Sequence, residues 1–417
     1  IYYQGKLIYN ISPVMKVFYN YIRDDVEYED YDRNYRLNPD GNLNRFRVGD
    51  SHIAKFTHSV SPSTYYDLGF SYFQKSYRQS VYEDSLDSRY VHPRINDLQQ
   101  AYTYKTGGTN NQYFTRDTKT YLGKFDITSQ ISRTHLLKGG VEARYYDIFF
   151  EDITLRALEG DDLDLETGSP YINTFVPGLQ TPYHSKYQRN PVELSAYIQD
   201  KMEFSDLIVN LGVRIDHFRP DGVVLSDPTD PDIYNPIRPV NAYKDVNGDG
   251  IPDIAPENAY SLAEREQFWY KDAANKTQIS PRLGVSFPVT ETGVVYFSYG
   301  HFFQIANFEL LYRNPQFKLG TGTGNQGTIG NADLDPEYTI SGEIGLKQQI
   351  SEDLALDITA YFRDVRDLTG TRSEEIVIFG GSSSYSRLTN SDFGFVKGII
   401  VSLRNRYQQG FNYTLDY

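Results

Sequence analysis

The stretch LIVNLGVRIDH, residues 207–217, decides the fold of this chain. One set of alternate positions is apolar from Leu207 through Ile215, and the other set includes Asn210, Arg214 and Asp216. Successive side chains of a β-strand point to opposite faces, so the alternation predicts a strand with one apolar and one polar face. We expect the apolar face to contact lipid and the polar face to line a wet lumen.

A second stretch, LALDITAYF at residues 354–362, repeats this alternation, and residues 340–349 supply its hairpin partner. The partner carries Glu343 and Lys347 in its polar phase. A charge that faces mid-bilayer lipid from a barrel strand costs about 2 to 4 kcal/mol, so both side chains are expected on the inner, wet side. Further strands are predicted at about 1–11, 14–22, 51–60, 64–75, 118–131, 135–149, 190–204, 276–288, 293–303, 393–407 and 411–417.

The fourteen predicted strands form seven pairs, and each pair is joined by a tight turn rich in Ser, Pro, Gly or Asp, the residue types that favour turns. These turns are Asn10 to Pro13, Ser61 to Ser63, Ser132 to Thr134, Ser205 to Asp206, Val289 to Gly293, Ser351 to Asp353 and Gln408 to Gly410. Long extracellular loops are predicted between the pairs, at about 24–50, 77–115, 151–189, 219–274, 305–335 and 365–390. Short turns on one rim and long loops on the other are typical of an outer-membrane β-barrel.

Composition agrees with a barrel and excludes several other classes. Aromatic residues make up 15% of the chain, and 37 of them are tyrosines, which suit both strands and membrane interfaces. No window approaches the roughly 18 consecutive apolar residues of a membrane helix. Cysteine is absent, which excludes disulfides and cysteine ligands, and the net charge of −14 argues against nucleic acid as a partner. A soluble sandwich or propeller is the alternative, but neither places a long loop after every second strand.

Five sets of segments carry a resemblance to a known family. They are ISPRLGVSFP at 279–288, VYFSYGHFFQ at 295–304, GNADLDPE at 330–337 leading into GEIGL at 342–346, AYIQD at 196–200 with NLGVRID at 210–216, and YDRNYRLNPDG at 31–41. Together they span most of the chain in the order that the family shows, and they resemble the barrel of TonB-dependent outer-membrane receptors, in particular the Bacteroidetes-type branch.

The resemblance implies a 22-stranded barrel with an N-terminal plug domain, which contacts the TonB-type energy-coupling complex. Neither a plug nor a signal peptide precedes Ile1, so residues 1–417 are expected to be the central part of such a barrel in the bacterial outer membrane. The implied function is import of a scarce nutrient, with outer-membrane lipid, the nutrient ligand and a surface lipoprotein as further partners. Two alternatives stay open: a passive channel of fourteen strands, and a structural or surface-binding barrel of a secretion or adhesion complex.

The loop DVNGDGIPD, residues 245–253, is the sharpest local motif. Oxygen ligands at alternate positions, with glycine where the chain turns sharply, are what a calcium ion needs from a loop. The predicted ligands are Asp245, Asn247, Asp249, Asp253 and the carbonyl of Ile251. The twelfth position holds Pro256 instead of the usual glutamate, so the motif is closer to short extracellular calcium loops than to an EF-hand. A turn-rich loop that binds nothing is the alternative.

Other loop residues point to chemistry less sharply. Acidic runs at Asp24 to Asp32 and at Glu151 to Glu166, the second with Asp161, Asp162 and Asp164, could attract cations or form a solvated rim. Loop aromatics could stack on a sugar or hold a peptide, or pack loop against loop; they are Phe268, Trp269, Tyr270, Phe302, Phe303, Phe308 and Tyr312. No nucleophile elbow, phosphate loop, zinc-helix motif or dinucleotide fingerprint occurs, so we predict no enzyme and no cofactor beyond calcium.

Overall fold

The computed structural model describes residues 1–97, 103–157, 171–318, 328–369, 373–378, 381, 383–406 and 410–417. Fourteen long strands follow one another in a single antiparallel sheet, in which each pairs with the next. They are β1 Tyr2–Ser12, β2 Met15–Glu29, β3 Asn44–Ser61, β4 Thr64–Ser80, β5 Gln112–Gln130, β6 His135–Thr154, β7 Val192–Glu203, β8 Ile208–Arg219, β9 Lys276–Thr290, β10 Gly293–Gln304, β11 Glu337–Gln349, β12 Leu354–Leu368, β13 Asp392–Arg406 and β14 Asn412–Asp416. The predicted all-β class and the count of fourteen strands are confirmed.

The predicted alternation is present in the strands. On β8, Leu211, Val213 and Ile215 are exposed apolar side chains on one face. On the other face, Arg214 forms an ion pair with Asp216 at 2.8 Å. Exposed apolar residues are the normal outer surface of a barrel strand, because hydrocarbon and not water surrounds them.

The tight turns lie where the sequence places them, and side-chain oxygens cap them. Ser132 Oγ accepts hydrogen bonds from the backbone N–H groups of Thr134 at 3.2 Å and His135 at 3.1 Å. Ser61 Oγ accepts one from Ser63 at 3.2 Å. The seventh predicted turn, Gln408 to Gly410, lies largely outside the described residues.

Several strands extend beyond the predicted loop boundaries at the long-loop end. The connection between β2 and β3 covers residues 30–43 and not 24–50, and β4 and β5 are joined by 81–111 and not 77–115. Residues 23–29 contain five charged side chains and so resemble a loop in sequence. They remain paired because cross-strand contacts such as Arg23 with Asp50, at 2.9 Å, use those polar groups.

Short elements occupy the connections. Strands lie at Arg156–Ala157, Thr174–Phe175, His184–Arg189, Val223–Leu225, Tyr270–Asp272, Thr328–Ile329, Ser373–Ile378 and Ser383–Leu388, and His184–Arg189 pairs with the outer part of β6. Helical turns lie at Arg33–Tyr35, Pro39–Gly41, Pro93–Asp97, Pro239–Ala242, Pro256–Asn258, Leu262–Arg265 and Phe308–Tyr312. Within the described ranges, no helix has the length and apolar character required to cross a membrane.

Buried apolar residues concentrate at the long-loop rim and form three clusters. The Tyr90 cluster contains Leu43, Val81, Tyr90, Ile153, Leu155 and Ile172. The Tyr312 cluster contains Ile148, Tyr187, Phe218, Ala306, Leu311, Tyr312 and Leu334. The Trp269 cluster contains Leu225, Ile233, Trp269, Phe317, Ile329, Ile376, Ile378 and Tyr385. Each cluster joins different connections, so the loops are packed against one another above the sheet.

Candidate functional site

A ladder of aromatic side chains crosses the lipid-facing side of five consecutive strands. Its members lie directly opposite one another on β2 to β6 and are Tyr21, His52, Tyr72, Tyr121 and Tyr145. The ring centroids of successive members are 4.9, 5.9, 5.1 and 6.1 Å apart. Aromatic rings at such distances attract one another, and aromatic girdles flank the apolar band of membrane barrels.

A polar row lies one outward-facing position beyond the ladder on the same strands. It consists of Arg23, Asp50, Gln74, Lys119 and Asp147. Lys119 Nζ lies 3.6 Å from a carboxylate oxygen of Asp147. The ladder therefore marks the boundary between the lipid-facing band and the part of the sheet that faces water. Sequence reasoning missed it, because only the strand register brings these residues together.

Hydrogen-bonded polar side chains cover the inner face of β5 to β8. Arg144 pairs with Glu142 at 2.8 Å, and the Tyr146 hydroxyl donates to Glu193 at 2.5 Å. Arg214 also donates to Ser195 Oγ at 2.7 Å. These groups are stable at this face only if water reaches the face, which agrees with a wet lumen. Among the described residues, the lipid-facing side of the same strands carries fewer charged side chains near the middle of the sheet.

Most of the loop aromatics pack loop against loop. Trp269 and Tyr312 are 3% and 4% exposed, and Phe303 and Phe308 pack against the Tyr312 cluster. Phe268 and Phe302 are different, since 38% and 44% of their surfaces are exposed. Of the seven predicted aromatics, these two therefore offer the most ring surface to a ligand.

Buried hydroxyl donors hold the proline-containing loop after β8. The Tyr312 hydroxyl donates to the carbonyl of Pro220, and the Tyr385 hydroxyl donates to the carbonyl of Pro228 at 2.6 Å. A loop carbonyl outside a strand ladder still needs a hydrogen-bond donor, and at these two prolines a tyrosine hydroxyl supplies it. The two tyrosines belong to different clusters, and together they fix the loop from both sides.

Asp230 is a buried carboxylate that organises the next part of this loop. Its side chain, 1% exposed, accepts hydrogen bonds from the backbone N–H groups of Ile237 and Arg238, both at 2.9 Å, and from Asn241 at 3.0 Å. Beside it, burial acts to raise the pKa of Asp227, but hydrogen bonds from Thr229, Asn241 and Arg238 outweigh burial, and the pKa lies below its usual value. Sequence reasoning did not single out either aspartate.

Lys318 is a buried cation in the loop between β10 and β11. It is 3% exposed, and its Nζ donates to the backbone carbonyls of Thr181, at 2.8 Å, and His184. Burial lowers the pKa of Lys318 to about 8. The lysine thus links the loop before β7 to the loop before β11 through backbone oxygens.

The predicted calcium loop is a solvent-exposed turn with its own hydrogen bonds. Asp245 accepts from the N–H groups of Gly248 at 2.7 Å and Gly250 at 2.8 Å, and both glycines have positive φ. The other predicted side chains accept similarly, Asn247 from Asp249, Asp249 from Ile251, and Asp253 from Val246. Across the described ranges, no group of three or more His, Cys, Asp or Glu side chains is placed to hold a metal ion. Calcium binding stays a prediction.

The acidic runs are partly neutralised by basic neighbours. In the first, Asp30 pairs with Arg45 and Asp24 pairs with Arg47 at 3.5 Å. In the second, Glu151 lies 3.0 Å from both His184 and Lys186. Asp161, Asp162 and Asp164 lie outside the described residues. The described carboxylates therefore do not form a uniformly anionic surface.

Comparisons with known proteins give one family and a set of similar folds. The family model described as TonB dependent receptor-like, beta-barrel, matches residues 10–417. No match was found among curated proteins. Similar solved structures include the copper transporter OprC, with 12% identity, a TM-score of 0.58, and 100% of this chain and 52% of that chain covered.

Two further structures show the same likeness. The FrpB iron transporter from Neisseria meningitidis has 12% identity and a TM-score of 0.57, with 97% of this chain and 51% of that chain covered. The ferric yersiniabactin uptake receptor FyuA from Yersinia pestis has 10% identity and a TM-score of 0.54, with 97% and 48% covered. At these identities the likeness shows the fold alone, and the chain spans about half the length of these proteins.

Proposed function

The chain belongs to the TonB-dependent receptor-like β-barrel family, and from that premise we propose that it is part of an active importer of a scarce nutrient. Barrels of this family are outer-membrane proteins, so the apolar band of the sheet lies in the bacterial outer membrane. Passage across that membrane would be gated by a plug domain and driven by a TonB-type coupling complex. Both are partners of the proposed whole protein.

One observation carries this proposal: an ordered rim of loops lies above a polar inner wall. The three rim clusters hold connections that are far apart in sequence, as when Tyr187 packs against Tyr312 with ring centroids 5.4 Å apart. An ordered rim can present a fixed binding surface, because the entropy of ordering the loops has been lost before the ligand arrives. A ligand that passes from the rim into the lumen would then meet hydrated polar groups on the inner wall.

A passive channel closed within this chain fits less well. Closure would require β1 to pair with β14, and in the described residues these two strands are the opposite ends of the sheet order. A polar inner wall is common to transmembrane barrels, so family membership is what favours an importer over a structural barrel of a secretion or adhesion complex. An active importer accounts for the wall, the rim and the family membership together.

The proposal assigns no specific nutrient, and it includes a surface lipoprotein and a calcium ion as partners. The similar structures are those of a copper transporter, an iron transporter and a ferric yersiniabactin receptor, and fold alone does not transfer a substrate. A surface lipoprotein that covers the rim and a bound calcium ion at residues 245–253 are part of the proposal. The Bacteroidetes-type branch also stays a prediction.

Growth and uptake experiments test the importer. Deletion of the gene is expected to abolish growth when one nutrient is limiting, across a panel of siderophore-bound iron, cobalamin, oligosaccharide and peptide sources. Uptake of the same nutrient should stop when a protonophore removes the energy supply of the inner membrane. Uptake that continues after the protonophore would support a passive channel, and unchanged growth on every source would support a structural role.

A further inference from the structure

A groove with a volume of about 650 Å³ lies on the lipid-facing side of β4 to β8, next to the aromatic ladder and on its tight-turn side. Small residues of three strands form its floor, namely Gly123, Ala143 and Ala196. Its sides are formed by larger apolar residues, among them Leu68, Phe125 and Leu194. Every strand of the groove has both of its neighbours within this chain, so neither the lumen nor an end of the sheet borders it. We call this space the wall groove.

The strand register explains why the outer wall is hollow here. Directly opposed residues form one row across β4 to β7, which consists of Phe70, Gly123, Ala143 and Leu194. Phe70 and Leu194 are 54% and 47% exposed, whereas the two residues between them carry only a hydrogen atom and a methyl group. A Cβ atom at Gly123 would meet no heavy atom within 4 Å apart from its neighbours in the chain. The row therefore has a gap two strands wide, which a flexible apolar chain can fill.

The polar row beyond the ladder lies at the depth expected for lipid headgroups above this groove. Lys119 and Gly123 are four residues apart on β5, which is about 13 Å along the strand. Barrel strands are tilted by about 35 to 45°, so Lys119 lies about 10 Å farther out along the membrane normal. The headgroup region of one leaflet is about 5 to 8 Å thick. A lipid whose headgroup contacts Lys119 therefore has the upper part of an acyl chain at the wall groove.

Two tyrosines of the ladder lie between the groove and the polar row. Tyr121 and Tyr145 are directly opposed and lie two positions along their strands from Gly123 and Ala143. A tyrosine combines an apolar ring with a polar hydroxyl group, which suits the depth where an acyl chain meets its headgroup. At that depth a tyrosine hydroxyl can donate to the ester carbonyl of a lipid.

Two opposite charges lie side by side in the polar row above the groove. Lys119 Nζ is 3.6 Å from one carboxylate oxygen of Asp147, and the two side chains are 35% and 25% exposed. The other oxygen of Asp147 accepts from Gln188 at 3.0 Å, which orients the carboxylate. A phosphate group matches the ammonium group of Lys119, and an ammonium group matches the carboxylate of Asp147. The pair therefore suits a headgroup that carries both charges better than a headgroup that carries negative charge alone.

We propose that the wall groove and the charged pair together bind one glycerophospholipid with a phosphoethanolamine headgroup. An acyl chain of the lipid lies over Gly123 and Ala143, and its removal from other lipid chains into a shaped groove adds van der Waals contacts. The phosphate accepts from Lys119, and the ammonium group donates to Asp147. This inference goes beyond the proposed function, since it concerns the outer wall and requires neither uptake nor a plug domain.

Lipid titration of the full-length receptor in detergent, followed by native mass spectrometry, tests this proposal. The probes are phosphatidylethanolamine and phosphatidylglycerol with identical acyl chains, and we expect phosphatidylethanolamine to bind about 10-fold more tightly. Ala143→Leu fills the groove and should lower the affinity for both lipids by about 10-fold. Ala54→Leu is the matched control, because Ala54 lies opposite Phe70 in the same row but outside the groove. Its affinities should stay within about twofold of the wild type.

Two further variants separate the headgroup contacts from the acyl-chain contacts. Lys119→Gln removes the partner of the phosphate and should weaken both lipids by about 10-fold. Asp147→Asn removes the partner of the ammonium group and should abolish the preference for phosphatidylethanolamine. Both side chains are exposed on the outer wall, so neither change removes a buried contact.

Four results would overturn the proposal: equal affinity for the two lipids in the wild type, a preference for phosphatidylglycerol, unchanged affinity in Ala143→Leu, or an equal loss in Ala54→Leu. The growth and uptake experiment is independent of this titration. Nutrient-specific uptake without a lipid preference would overturn the lipid site alone. Selective lipid binding without any uptake would leave the lipid site in place and overturn the importer.

Discussion

Replacing the buried Asp230 by asparagine tests whether the loop after β8 is held by this one carboxylate. One oxygen of Asp230 accepts from the Arg238 N–H at 2.9 Å and from Asn241 at 3.0 Å, while the other accepts from the Ile237 N–H at 2.9 Å. The amide of asparagine keeps one accepting oxygen. That oxygen can keep the two donors Arg238 N–H and Asn241, so the NH₂ group faces the Ile237 N–H and cannot accept from it.

The expected loss follows from the hydrogen bond to the Ile237 N–H. A hydrogen bond to a charged group contributes about 1.5 to 3 kcal/mol, so Asp230→Asn should destabilise the loop by about that amount. Water cannot replace the lost acceptor at a site that is 1% exposed. Since about 1.4 kcal/mol corresponds to a factor of ten, the Ile237 amide should exchange with deuterium about 10-fold to 100-fold faster.

Asp245→Asn is the matched control for this experiment. Asp245 also accepts from two backbone N–H groups, those of Gly248 at 2.7 Å and Gly250 at 2.8 Å, but it is exposed. Water can replace the lost acceptor at this exposed site, so the loop should be destabilised by only about 0.5 to 1.5 kcal/mol. Equal acceleration at Gly250 and Ile237, or no change at Ile237, would refute burial as the cause of the difference.

Three further predictions concern other parts of the molecule. Calorimetry of the wild type should detect calcium binding that Asp245→Ala removes, and a flat titration would leave the loop as a plain turn. Hydrogen bonds from Lys244 and Ser261 lower the pKa of Glu264 to about 2. The stabilisation that these bonds give is therefore present above about pH 4.3 and is lost as the pH falls towards 2. Hydrogen exchange of the Ser261 amide should accelerate over that pH range, and Glu264→Gln should abolish this pH dependence. Tyr121→Ala removes two ring contacts in the aromatic ladder and should lower the free energy of unfolding in vesicles by about 1 to 3 kcal/mol, whereas Tyr121→Phe should lower it by much less.

The architecture was readable from the sequence because alternation is a local signal. In residues 207–217 and 354–362, lipid on one side and water on the other act on each residue separately, so no partner strand needs to be known. Tight turns are local as well, as the serine caps at Ser61 and Ser132 illustrate. The strand ends beyond Arg23 were missed because the high density of charged residues there is typical of a solvated loop.

The candidate site depended on strand register and on long-range packing, which a single sequence does not specify. Tyr21 and Tyr145 are far apart in the chain, and only the pairing of five strands brings them into one aromatic ladder. The sequence around Asp230 does not distinguish it from other loop aspartates, because its donors, the N–H groups of Ile237 and Arg238, come within hydrogen-bond distance only in the folded loop. The calcium motif was visible for the opposite reason, since all of its residues are neighbours in sequence.

The three rim clusters have a consequence for recognition of the loops by antibodies. Tyr385 reaches Pro228 from a connection more than 150 positions away, and Tyr187 stacks on Phe150 while it also contacts Tyr312. The outermost surface is therefore formed by residues from several connections that are far apart in sequence. Antibodies raised against a peptide copied from one loop should bind the denatured chain better than intact cells, whereas antibodies raised against intact cells should recognise discontinuous epitopes.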